Sequence, residues 1–166
     1  MKHQEKKYLV DSFSRIQKIL NETGAKRRPR VVTIHYYAQQ EGNDVVKLVR
    51  YNDRNEIHIL EESQGRFSLK ENIPVESTDA GLQWLKDRGA GVVNLVKMAN
   101  TDYEYKNGIV GLYIIDDFLY SIILDFPEGQ HETIEKEFGL HTAKVISVPY
   151  NKLLKQMGRL RPMNLK

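Results

Sequence analysis

His3-Gln4-Glu5-Lys6-Lys7-Tyr8-Leu9-Val10 is the stretch on which the fold turns. Lys7 to Val10 is rich in residues that favour a pleated backbone, so it reads as a first strand. Side chains alternate across a strand, which puts His3, Glu5 and Lys7 on one face. Three ionisable groups on one face of a strand suit either a solvated surface or a polar interior. Asp11 or Ser12 can cap the helix that follows. Phe13, Ile16, Ile19 and Leu20 recur at helical spacing, and Gly24 ends the run.

Outward from this start, short strands succeed one another. Val31 to Tyr37, Val45 to Tyr51, Glu56 to Leu60 and Arg66 to Ile73 carry the composition of strands, with turns at Glu41-Gly42-Asn43-Asp44 and Asn52-Asp53-Arg54-Asn55. A helix over Thr78 to Arg88, capped by Ser77, buries Leu82 and Leu85, and Trp84 packs on the sheet from it. Gly91 to Met98 opens a hairpin that turns near Lys106-Asn107-Gly108, since Asn-Gly favours tight hairpins. Ile109 to Phe118 and Leu119 to Phe126 are the next strands. A helix at 132–138, a strand at 144–148 and a helix at 151–157 complete the set. The expected class is α+β: about eight antiparallel strands closed into a barrel, because closure removes vulnerable edges, with a few peripheral helices. One domain over residues 1–158 is expected, followed by a mobile basic tail at 159–166.

Composition bounds the function. The chain has 166 residues, of which 40% are hydrophobic and 28% charged, as in a globular domain. No apolar run is long enough for a membrane helix, and the charged N-terminus lacks the apolar core of a secretory signal. Without cysteine there are neither disulfides nor thiolate zinc sites, which agrees with a cytoplasmic location. The net charge of +3 is concentrated at Lys26-Arg27-Arg28-Pro29-Arg30 and in the final residues, Lys152, Lys155, Arg159, Arg161 and Lys166. Such clusters suit solvated loops, or phosphates on a polyphosphate or nucleic acid.

Charges recur inside the apolar strands: Lys47 within Val45–Val49, Lys97 after Val96, Asp116 and Asp117 after Ile115, and Asp125 after Leu124. Together with the opening motif and the order of elements, they resemble the CYTH superfamily, the triphosphate tunnel proteins, over residues 2–155. That superfamily includes class IV adenylate cyclases, thiamine triphosphatases and tripolyphosphatases. Its opening strand reads Glu-x-Glu-x-Lys, matched here by His3, Glu5 and Lys7. Val45-Val46-Lys47-Leu48-Val49-Arg50 resembles its basic strand, Lys97-Met98-Ala99 its Lys-x-Arg, and Ile123-Leu124-Asp125 its closing Glu-x-Glu.

The resemblance implies an eight-stranded tunnel. Glu5 and Lys7 would be catalytic; Lys7, Lys47, Arg50 and Lys97 would hold phosphate; and Glu5, Asp125, Asp116 and His3 would hold metal, as Mg²⁺ or Mn²⁺. The implied ligand is a triphosphate, polyphosphate or nucleotide-like anion, with nucleic acid on the basic loop and tail as an alternative. The implied assembly is a homodimer, with no membrane partner. Departures from the pattern are His3, Ala99 and Ile123 in place of charged residues, no Arg-x-Glu-x-Glu within Arg66–Asn72, and no lysine in Ile57–Glu61. Lys47 and Arg50 are three apart and cannot share a face of a regular strand. Two readings therefore stand: a tunnel that binds an anion with an incomplete catalytic set, and a divergent metal-dependent triphosphatase, with cyclase activity the less favoured variant.

Overall fold

The computed structural model describes residues 2–38 and 44–165. In chain order the elements are β1 (His3–Val10), α1 (Ser14–Glu22), β2 (Lys26–Arg27), β3 (Val31–Ala38), β4 (Asp44–Arg50), β5 (Asn55–Ser63), β6 (Arg66–Val75), α2 (Thr78–Asp87), β7 (Val92–Tyr105), β8 (Gly108–Ile115), β9 (Leu119–Pro127), α3 (His131–Glu137), a 3-10 turn (Leu140–Thr142), β10 (Lys144–Ile146), α4 (Tyr150–Gln156) and β11 (Pro162–Asn164). The class is α+β. Eight of these strands are seven residues or longer, in line with the expected count. Among the described residues no helix is long and apolar enough to cross a membrane.

The chain divides into two compact units. The first comprises 1–31 and 99–147, the second 32–98 and 148–166. In the first unit β1 pairs antiparallel with β9 along its whole length, from His3 opposite Pro127 to Val10 opposite Tyr120. It also pairs with β10, Lys7 opposite Ile146. β8 continues the sheet beyond β9. Tyr8, Val110, Leu112, Ile122, Leu124 and Phe126 form one apolar face, covered by Ile16 and Leu20 of α1 and by Ile134 and Phe138. The alternation that buries these residues sends their neighbours Glu5, Lys7, Ile123 and Asp125 to the other face. The cap expected of Asp11 or Ser12 is corrected: the N-cap of α1 is Phe13, without a side-chain cap bond, and Ser12 Oγ accepts the Ser14 N–H at 3.1 Å just outside it.

In the second unit β3, β4, β5 and β6 form an antiparallel meander. Tyr36, Leu48, Ile57, Leu85 and Val93 make its core, with Trp84 packed against it. Ser77 caps α2 by accepting the Ala80 N–H at 3.0 Å. Gly81 lets this helix approach the sheet, since a Cβ there would come within 2.4 Å of Leu48 Cδ1.

Three further local expectations are corrected. The 26–30 stretch is not all loop: Lys26 and Arg27 pair with Glu104 and Tyr103, and the Lys26 and Arg28 side chains meet the Glu104 carboxylate at 3.4 and 3.1 Å. Asp116 and Asp117 do not continue a strand but turn the chain, both in the left-handed region at φ 48° and 65°. Aspartate tolerates that conformation because its short side chain can bond locally. Finally, 159–166 is no floppy tail. Met163 pairs with Val93 in β11, the Leu95 N–H donates to the Arg161 carbonyl and the Leu165 N–H to that of Gly91, both at 2.9 Å. Met163 and Leu165 also pack on the core, which anchors this end despite its charge. The turn expected at Glu41-Gly42-Asn43-Asp44 lies, apart from Asp44, outside the described residues.

Candidate functional site

Unit one carries a carboxylate pocket. On the side of β1 that faces α3, the Lys6 ammonium and the Tyr8 hydroxyl both donate to Glu135, and His131 Nε2 lies 2.7 Å from the Gln4 carbonyl. The opposite side carries His3, Glu5 and Lys7. Register sets Glu5 directly across from Asp125, and His3 Nδ1 approaches Asp125 Oδ1 to 3.4 Å. Lys7 lies opposite Ile123 and is only 4% exposed. A cavity of about 130 Å³ is lined by Glu5, Arg28, Asp102, Ile109, Gly111, Tyr113, Ile123 and Asp125. Its room depends on Gly111: a Cβ there would lie 2.6 Å from the Tyr113 ring and 3.0 Å from Asp102 Oδ1.

Asp102 was not singled out by the sequence reading, yet it lines this cavity. Burial pushes its carboxyl above the usual aspartate range, and the Asp125 charge adds to the push, while the Asn100 amide and Arg28 oppose it. Asn100 Nδ2 donates to Asp102 Oδ1 at 3.0 Å. A usable signal lay in the period-two pattern Asn100-x-Asp102-x-Glu104, which lays polar groups along one face of β7. Arg28 belonged to a cluster read only as generally basic.

Unit two carries a cationic and imidazole face. Tyr37, Lys47, His58 and Asn72 form one cross-strand row over β3, β4, β5 and β6. Lys47 is 8% exposed, with Nζ 5.0 Å from the Tyr37 ring centre and 3.4 Å from its hydroxyl. On the same face His35 stacks 6.1 Å from Tyr37, and its Nε2 lies 2.8 Å from Thr33 Oγ1. Burial holds the His35 imidazole well below its ordinary pKa, and Lys47 and His58 lower it further. Burial also lowers His58, with Glu56 opposing. Burial tends to raise Glu56 itself, but the His58 and Arg54 hydrogen bonds outweigh it and hold the carboxyl low.

The predicted residues thus separate. His3, Glu5, Lys7 and Asp125 share one strand face in unit one. Asp116 does not join them: it sits beyond Leu119, about 20 Å along β9 from Asp125 at the usual strand rise. Lys47 shares the polar face of unit two with His35. Arg50 is exposed and lies three residues on, facing the other way. Alternation gives Lys97 the face of Val93 and Leu95, which pack into the apolar core. Among the described residues no three His, Cys, Asp or Glu side chains are grouped to hold a metal ion.

No protein-family model matches the chain, and no curated protein matches it in sequence. Solved structures do. The PH1012 protein of Pyrococcus horikoshii superposes with a TM-score of 0.77 at 17% identity, over 89% of this chain and 96% of that one. A candidate adenylate cyclase from Vibrio parahaemolyticus superposes at 0.70 and 12% identity, over 93% and 98%. The chain shares its fold with these structures. A candidate adenylyl cyclase from Hippeastrum, described as having a dominant triphosphatase activity, superposes at 0.56 and 12% identity over 97% and 98% of the two chains. At such identity it is the fold alone that is shared, so the chemistry must be argued from this chain's own side chains.

Proposed function

We propose that this CYTH-fold chain binds a phosphate-bearing anion and lacks the complete set of groups that would turn it over. The observation that carries the reading is the division of its expected cations. Lys7 and Lys47 lie on buried polar strand faces, whereas Arg50 and Lys97 lie on the opposite faces of their strands. Phosphoryl transfer depends on dense neutralisation of charge that develops on the transferred group. Halving the cations weakens that neutralisation more than it weakens simple binding. The residues present also do not fit a metal centre: His3 and Asp125 pair with each other, and Asp116 is far along the hairpin. No metal-dependent step is therefore derived.

A second reading, hydrolysis of tripolyphosphate or a nucleoside triphosphate with Mg²⁺ or Mn²⁺, is favoured by one feature, the alignment of Glu5 opposite Asp125 beside Asp102. One experiment separates the two. Thermal unfolding is followed with tripolyphosphate and ATP, and phosphate release is assayed with each metal. The binding reading expects stabilisation of the folded state by mass action, without release. Release that disappears in Glu5→Gln would establish the second reading in its place. Neither a shift nor release would overturn both.

A further inference from the structure

The C-terminal part of unit two holds a cavity of about 400 Å³ that shares no residue with the carboxylate pocket. It is lined by Val92 and Asn94 of β7, Asn151, Lys152 and Lys155 of α4, and Leu160 and Pro162. A volume of this size falls in the range of small-molecule sites. Two observations mark it as more than a gap in packing. Asn94 Oδ1 and Asn151 Oδ1 are both buried without a hydrogen-bond partner among the described residues. Asn151 is 9% exposed overall. Native proteins pair nearly all such groups, and a specific exception calls for an occupant.

The chemistry of the lining defines that occupant. Two amide carbonyls offer acceptors and require N–H donors. Lys152 and Lys155, on adjoining turns of α4, are exposed and present positive charge at the rim. Val92, Leu160 and Pro162 supply apolar walls. We propose that this cavity binds a small organic anion that carries N–H donors on an apolar body. Its N–H groups meet Asn94 and Asn151, and its carboxylate or phosphate meets the two lysines.

Thermal shift and calorimetry on the full chain test this with three probes. Adenosine monophosphate and N-acetylglutamine each combine an anion with N–H donors, one through phosphate and an aromatic amine, the other through carboxylate and a primary amide. Ribose 5-phosphate is an anion without N–H. At least one of the first two should bind, and which one does identifies the source of the anion. Asn151→Leu should weaken that binding about fivefold, the loss expected for a single hydrogen bond. It should also raise the melting temperature of the free protein, because it removes an unpaired buried acceptor. The exposed pair Lys152→Ala/Lys155→Ala should weaken binding without altering the melting temperature, which guards against a variant that misfolds. A shift with tripolyphosphate that survives Asn151→Leu keeps this site separate from the reading above. Equal binding of ribose 5-phosphate, or no binding by any probe, would mean that water alone fills the cavity, and the proposal falls.

Discussion

Asp102, in unit one, is half-buried beside Asp125, with one amide and one guanidinium opposing the cost of its charge. Lys47, in unit two, is almost wholly buried along the Tyr37 ring, in a row that continues to His58 and Asn72. The first polar face is built from carboxylates with a cation at the edge, the second from an ammonium and two imidazoles among tyrosines. A buried charge is tolerated only with compensation, and the two faces find it differently. Unit one uses hydrogen bonds from Asn100 and the charge of Arg28. Unit two keeps its histidines neutral, so that Lys47 is spared neighbouring positive charge. Beneath both, the opposite strand faces are ordinary cores.

That shared base gives the largest expected effect. Phe126, in unit one, is fully buried under α3, and Phe126→Ala should cost about 3–5 kcal/mol. Leu48, fully buried under α2, should cost about 2–5 kcal/mol as Leu48→Ala. Urea unfolding measures both. A loss under about 1 kcal/mol at either position would mean that the apolar side of that unit is not its source of stability.

Much of this architecture was legible beforehand because it rests on period-two and period-3.6 patterns, as in Tyr8 and Ile122-Leu124-Phe126, or Ile16 and Leu20. The Ser77 cap of α2 and most strand boundaries follow from local chemistry alone. The polar faces were half legible. Glu5, Lys7 and Asp125 could be read because each interrupts or borders an apolar run. Asp102 and Arg28 could not, because Asp102 lies in a polar stretch and Arg28 in a basic cluster, where a functional charge looks like a solvated one. Lys97 misled for the converse reason: a lysine after Leu95-Val96 looks inward-facing until the face of Leu95 is known. The C-terminal residues misled through their charge, since Met163 and Leu165 anchor them by packing that spacing in sequence does not reveal.

The contrast between the faces predicts opposite responses to pH. An unfolded histidine takes a proton near pH 6.5, whereas folded His35 resists it until lower pH. Stability from His35 is therefore full above about pH 6.5 and is lost as pH falls below it, and His58 acts in the same direction. Asp102 runs the other way. Its raised pKa gives a contribution that is full below the unfolded value of about 3.9 and is lost as pH rises through the folded one. His35→Gln should flatten the decline in stability between about pH 6.5 and 5. Asp102→Asn should gain on the parent at neutral pH, with the gain vanishing towards about pH 4. Denaturation across pH, read as slopes, checks both. Matching slopes for the two variants would erase the distinction between the faces.

The smallest expected effect sharpens the comparison within a single strand. Arg50 and Lys47 are three residues apart on β4, so alternation puts Lys47 on the buried polar face and Arg50, exposed at the end of the strand, on the face of Leu48. Arg50→Ala removes an exposed group and should change stability by no more than about 0.5 kcal/mol. It should also leave the thermal shift with tripolyphosphate as it was. Lys47→Met keeps the length and apolar stem of the side chain while removing the ammonium, so it should abolish most of that shift with the fold intact. The measurement is a titration of tripolyphosphate against each variant. If Arg50→Ala weakened the shift as much as Lys47→Met, anion capture would belong to the exposed end of β4, and the buried row of Tyr37, Lys47 and His58 would be a structural device alone.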